Sequence, residues 1–173
     1  MSVRALDLPE RALLQRYRTM PGAYSDCYAL DLPRAVALAD YVHAFYCTWL
    51  FRLERLVLRL AVARPSTDAQ AAELGAGTRS DFAAWTVEVR APQQLLLCDL
   101  YGRTRSWLMT EALADGGTRC YFGSAVVPRR DPGAREPRLG GGYSALLGLH
   151  RLYSRALLAA AAARLRRTPG DLR

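Results

Sequence analysis

Polar side chains that interrupt apolar, strand-like runs are the first places in this sequence where chemistry could sit. The stretch from Asp81 to Pro128 holds four such runs, DFAAWTVEVR, QQLLLCDLYG, TRSWLMTEAL and TRCYFGSAVVP. In the third run Arg105 and Glu111 fall on one side of one strand, flanking Trp107 and Met109. A guanidinium inside a cavity could hold a carboxylate or phosphate in a forked hydrogen bond. At strand ends the same two side chains would only reach solvent, and this rim placement is the reading the pattern favours. Ser124 follows Gly123 and could present a hydroxyl to a ligand; a strand serine between aromatics more often just makes room.

His150 occupies the apolar stripe of the last helical segment, one turn from Leu146 and close to Tyr153. An imidazole titrates near neutrality, so it could act as acid, base or hydrogen-bond donor. No acidic residue stands at helical spacing from it, which favours a hydrogen-bonded core histidine. His43, with Asp40 three residues earlier, fits a local hydrogen bond. Trp85, Trp107, Phe122 and Tyr153, with Tyr46 and Trp49, supply aromatic surface that could line a cavity for an apolar or aromatic molecule. Core packing is the default for aromatics at these periods.

No phosphate loop, dinucleotide glycine pattern, H-E-x-x-H or G-x-S-x-G occurs, so no cofactor is expected. Cys27, Cys47, Cys98 and Cys120 form no C-x-x-C pair and no cluster with the two histidines, so no metal is expected either. They read as small buried hydrophobes in a reducing compartment.

The elements that must position these residues follow from periodicity. Pro9 to Arg18 predicts a short helix within an N-terminal extension over 1–22, and Tyr24 to Leu30 a first strand before Pro33. From Pro33 to Ala63, Val36, Ala39, Val42, Tyr46, Trp49, Leu53, Leu56 and Leu60 recur at helical steps, with a break expected near Cys47-Thr48. Thr67 with Gln70 matches a capping box, and Gly75 a helix end. Turns at Pro92-Gln93, Gly102-Arg103 and Asp115-Gly116 link the four runs as antiparallel neighbours.

These turns place Trp85, Val87, Val89, Leu96, Cys98, Leu100, Trp107, Met109, Cys120, Phe122 and Val126 on one face. Mostly polar residues fall on the other, which predicts a sheet covered on one side only. Residues 128–142, rich in Pro, Gly and Arg, predict a flexible surface loop. Tyr143 to Arg167 predicts the last helix, with an Arg-rich end that suits the helix dipole.

Composition sets the class. The 173 residues contain no Lys, Asn or Ile, and the 24 basic side chains are all Arg, which suggests a GC-rich bacterial genome. The formal charge of +8 lacks a basic stripe with interleaved aromatics, so nucleic acid is not expected as a partner. The N-terminus lacks an apolar leader, and the apolar run from Tyr41 to Phe51 is too short for a membrane span. A single cytoplasmic α+β domain follows, with a homodimer as an open possibility.

The order of one strand, one or two helices, an antiparallel run and a long final helix resembles the helix-grip fold of the START-like or Bet v 1-like (SRPBCC) superfamily. FAAWTVEVR, GRTRSWL, TRCYFGSAVVP and LLGLHRLYSRALL are similar to a bacterial branch of it. The resemblance implies a curved sheet gripping the C-terminal helix, with a hydrophobic ligand between them. It carries over no catalytic residues. Three functional expectations follow. The first is a binder of a small hydrophobic or aromatic molecule, whose candidate contacts are Trp85, Arg105, Trp107, Glu111, Phe122, Ser124, His150 and Tyr153. The second is a cyclase, aromatase or isomerase with Arg105 as electrostatic clamp and His150 or Tyr153 moving a proton. The third is a protein-interaction module.

Overall fold

A computed structural model describes residues 2–62, 65–128 and 143–166. The predicted 128–142 loop lies, apart from Pro128, outside the described residues. Seven strands form one antiparallel sheet, curved and unclosed. In chain order they are β1 (Arg4–Ala5), β2 (Tyr24–Leu32), β3 (Asp81–Phe82), β4 (Trp85–Ala91), β5 (Gln94–Asp99), β6 (Thr104–Ala112) and β7 (Thr118–Val126). Across the sheet the order is β1-β2-β7-β6-β5-β4-β3. The helices are α1 (Gln15–Arg18), α2 (Leu38–Tyr46), α3 (Trp49–Val62), α4 (Asp68–Ala76) and α5 (Tyr143–Arg166). This is an α+β molecule with the helix-grip layout. Among the described residues no helix is long and apolar enough to cross a membrane.

The helical stretch after β2 breaks where its sequence offers a cap. The Thr48 hydroxyl donates to the Phe45 carbonyl at 2.9 Å and accepts from the Phe51 amide at 3.2 Å, ending α2 and starting α3. The Thr67–Gln70 capping box forms at the start of α4. Its C-terminal cap is Gly77, at φ 83°, rather than Gly75. Gly75 lies inside the helix, where a Cβ would stand 2.5 Å from the Ala39 carbonyl oxygen, so its role is close packing against α2. The predicted helix over Pro9 to Arg18 shrinks to the one turn of α1.

The sheet is covered on both faces, which corrects the one-sided expectation. The inner face packs on the helices: Tyr28, Leu30, Leu32, Leu95, Leu97, Leu108, Cys120 and Phe122 join Tyr41, Phe45, Tyr46, Phe51, Leu157 and Leu158. The outer face carries Cys27, Ala29, Leu96, Trp107, Met109, Tyr121 and Ala125 under Leu8, Ala12, Leu14 and Tyr17 of the N-terminal segment.

Two local events produced the mis-sorting. A bulge between Val87 and Val89 turns Trp85 and Val87 inward while Glu88 and Val89 point outward. The β6–β7 connection pairs Ala112 with Thr118, a five-residue loop instead of a two-residue turn at Asp115-Gly116. That shifts the register by one, so Leu108 rather than Met109 faces Phe122.

Candidate functional site

The inner face and α5 enclose a cavity of about 230 Å³, lined in part by Phe45 of α2, Phe51 of α3, Trp85, Phe122 and Ser124 of the sheet, and His150, Tyr153, Ser154 and Leu157 of α5. Its wall is aromatic because β7 and α2 present their rings to the same space: Phe45 and Phe122 stand 4.8 Å apart by centroid. A larger concavity of about 710 Å³ at the β5–β6 turn is bordered by Asp99, Gly102, Val126 and Pro128. Its one aromatic, Tyr101, is 73% exposed. Turn residues of that kind offer no enclosed apolar wall, so the smaller cavity is the better candidate.

Two of the residues that line the smaller cavity, Trp85 and Ser154, carry an unpaired polar atom. Among the described residues, the Trp85 Nε1–H and the Ser154 hydroxyl are buried without a hydrogen-bond partner. Such a group costs about 1–3 kcal/mol. Ser154 does not return its hydroxyl to the carbonyl four residues earlier, the usual outlet for a helical serine.

At the other end lies a polar cluster built across the β2–β7 pairing. Asp26 stands opposite Ser124 in register. The Ser124 hydroxyl donates to Asp26 Oδ1 at 2.7 Å, and the Ser124 amide donates to the same oxygen at 3.0 Å. His150 Nε2 lies 2.7 Å from the Ser124 hydroxyl and 3.7 Å from Asp26 Oδ2. The Asp26 side chain is 9% exposed and that of His150 30%. With its hydroxyl proton on the carboxylate, Ser124 accepts from His150 Nε2–H, which leaves it a bridge rather than an activated nucleophile.

Tyr24 donates to Asp26 Oδ2 at 3.3 Å and accepts from Arg151 Nε at 3.0 Å. Burial, then the Asp26 charge, pushes Tyr28 up to about 12, and burial also raises Tyr24. Both phenols therefore stay protonated at neutral pH.

The structure thus gathers Trp85, Phe122, Ser124, His150 and Tyr153 around one cavity. Arg105 borders it, but its guanidinium goes to the outer face: Nε lies 2.5 Å from Glu88 Oε2 and 2.9 Å from the Tyr17 hydroxyl, and Nη1 donates to the Gly102 carbonyl at 2.8 Å. Trp107 is fully buried on the outer face and donates from Nε1 to Gln94 Oε1 at 2.9 Å. Glu111, also on the outer face, pairs with Arg11 and accepts from the Tyr121 hydroxyl at 2.6 Å. Trp107 and Glu111 are therefore excluded from the cavity, and Arg105 has no free donor fork to offer it.

Sequence reasoning missed Asp26 and Ser154. Asp26 had no signal, because its link to His150 spans 124 positions; Ser154, four residues after His150, shares its helix face and could have been found. Among the described residues, no group of three His, Cys, Asp or Glu could hold a metal ion. No protein-family model matches this chain, and no curated protein matches it significantly.

Proposed function

We propose that this protein binds a small hydrophobic or aromatic molecule in the cavity between the inner sheet face and α5. The carrying observation is the aromatic-walled cavity of about 230 Å³ between the sheet and α5. The helix-grip layout and the resemblance to the START-like or Bet v 1-like superfamily support the same reading. Incubation with a library of lipids and aromatic metabolites, followed by native mass spectrometry, should give a one-to-one adduct. Ser154→Leu, which fills the cavity, should remove it. A folded protein that retains none of the compounds overturns the proposal.

A second reading, an isomerase or cyclase on this scaffold, draws on His150 at the cavity wall beside Asp26. It proceeds without Arg105 as clamp, because that guanidinium is held by Glu88 and Tyr17. Exchange of a bound compound's acidic C–H for deuterium, lost in His150→Gln with binding intact, would favour this reading over simple binding.

A further inference from the structure

The helix α3 is turned against the usual rule. Trp49, Leu53 and Leu56 share one stripe by helical spacing, and a globular helix normally buries such a stripe. Here each of the three is half exposed or more. The Arg55 side chain, by contrast, is 11% exposed and pairs with Asp68 of α4 at 2.7 Å. Phe51, on the opposite side from Trp49 and Leu53, makes the contact with the inner core. The neighbouring α5 adds Leu149 and Leu152, both exposed and opposite the buried Ser154 and Leu158. We propose that this outward face of α3 and α5 docks on an anionic lipid surface, with the Trp49, Leu53 and Leu56 side chains in the headgroup region.

Charge identifies the partner. The two helices carry seven Arg and one Glu. Among the described residues, the carboxylates ion-paired with their side chains are Asp68, which holds both Arg52 and Arg55, and Asp26, beside His150. Setting Glu54, Asp68 and Asp26 against the seven Arg leaves a surplus of four positive charges. Arg151 and Arg155 are exposed and donate to neutral oxygens, the Tyr24 hydroxyl at 3.0 Å and the Val3 carbonyl at 3.3 Å. An apolar helix stripe flanked by Arg is the pattern of a helix that lies in a bilayer interface without crossing it.

A second copy of the chain fits less well, because a twofold contact would set two Arg-rich surfaces against each other. A convex helix stripe needs no complementary groove when the partner is fluid lipid, and an indole suits the depth where hydrocarbon meets headgroup.

The test floats the intact chain with vesicles of phosphatidylcholine, alone or with about 30% phosphatidylserine. The anionic vesicles should bind at least about tenfold more tightly, and added salt should weaken the binding. Tryptophan emission should shift to the blue on binding, and Trp49→Phe should abolish the shift, since Trp49 is the exposed tryptophan. Leu53→Gln combined with Leu56→Gln should weaken vesicle binding by about tenfold or more, with the melting temperature as the check that the variant folds.

Equal binding to both vesicles would overturn the anionic partner. Unchanged binding by the double variant would overturn the assignment to α3. Flotation with neither vesicle would overturn the proposal. So would retention on polyglutamate without vesicle binding, which would give the face to an acidic protein, or a dimer that Leu53→Gln dissociates, which would give it to a second copy.

Discussion

Ser124 does two jobs with one hydroxyl, holding Asp26 by donation and His150 by acceptance. Removing it in Ser124→Ala leaves a buried carboxylate short of one charge-assisted bond, for an expected loss of about 1–3 kcal/mol in urea unfolding. The two tryptophans of the sheet should behave differently. Trp107 is fully buried and bonded, so Trp107→Ala should cost about 3–5 kcal/mol without touching the cavity. Trp85 should matter more to ligand than to fold. Cys27, Cys47 and Cys120 are buried and Cys98 is half-buried; burial pushes Cys27 and Cys120 up to about 12 and Cys47 to about 11, and raises Cys98. Thiol-reactive dye should therefore label the native protein slowly, and all four thiols once it is unfolded.

Between elements, packing leaves little slack at two glycines. A Cβ on Gly123 would meet the Asp26 carbonyl oxygen at 2.8 Å and Trp107 Cε3 at 2.9 Å; on Gly75 it would meet Ala39 O at 2.5 Å. Gly123→Ala and Gly75→Ala should each destabilise by about 1–3 kcal/mol in chemical denaturation, as overpacked sites do. The α3–α4 junction carries a pH signature. Burial alone would raise Asp68, but hydrogen bonds from Arg55 and Arg52 outweigh it and bring the carboxyl down to about 2.

Folding thus favours ionised Asp68. Its contribution is complete above the ordinary value of 3.8 and disappears as pH falls from there towards 2. Asp68→Asn should lower stability at neutral pH and flatten the dependence in that window. The outward stripes of α3 and α5 face water, with Trp49 70%, Leu53 56% and Leu149 65% exposed. Leu53→Gln and Leu149→Gln should leave the melting temperature nearly unchanged.

At the scale of the whole molecule, one sheet serves two cores. The helices close the inner one, and the segment before β2 closes the outer one. There Gln94 ties the layers, accepting from the Leu13 amide and Trp107 at 2.9 Å each and donating to the Arg11 carbonyl at 3.0 Å. Deleting residues 1–18 should expose Trp107, Met109 and Tyr121. Red-shifted tryptophan emission and loss of a cooperative unfolding transition are the expected results.

Much of this architecture is local and therefore legible in the chain. Period-two runs set the strands of the meander, Thr48 the helix break, and Thr67 with Gln70 the start of α4, because each depends on neighbours within a few residues. Face assignment is not local. The bulge at Glu88 and the five-residue loop before Thr118 each invert a strand, and hairpin patterning reads the same either way when both faces are apolar. For that reason the strand bearing Arg105, Trp107 and Glu111 pointed to a site in the sequence and turned outward in the fold. Aromatic type and period marked Trp85, Phe122 and Tyr153 as wall material. Only the β2–β7 pairing could bring Asp26 to Ser124 and, through it, to His150.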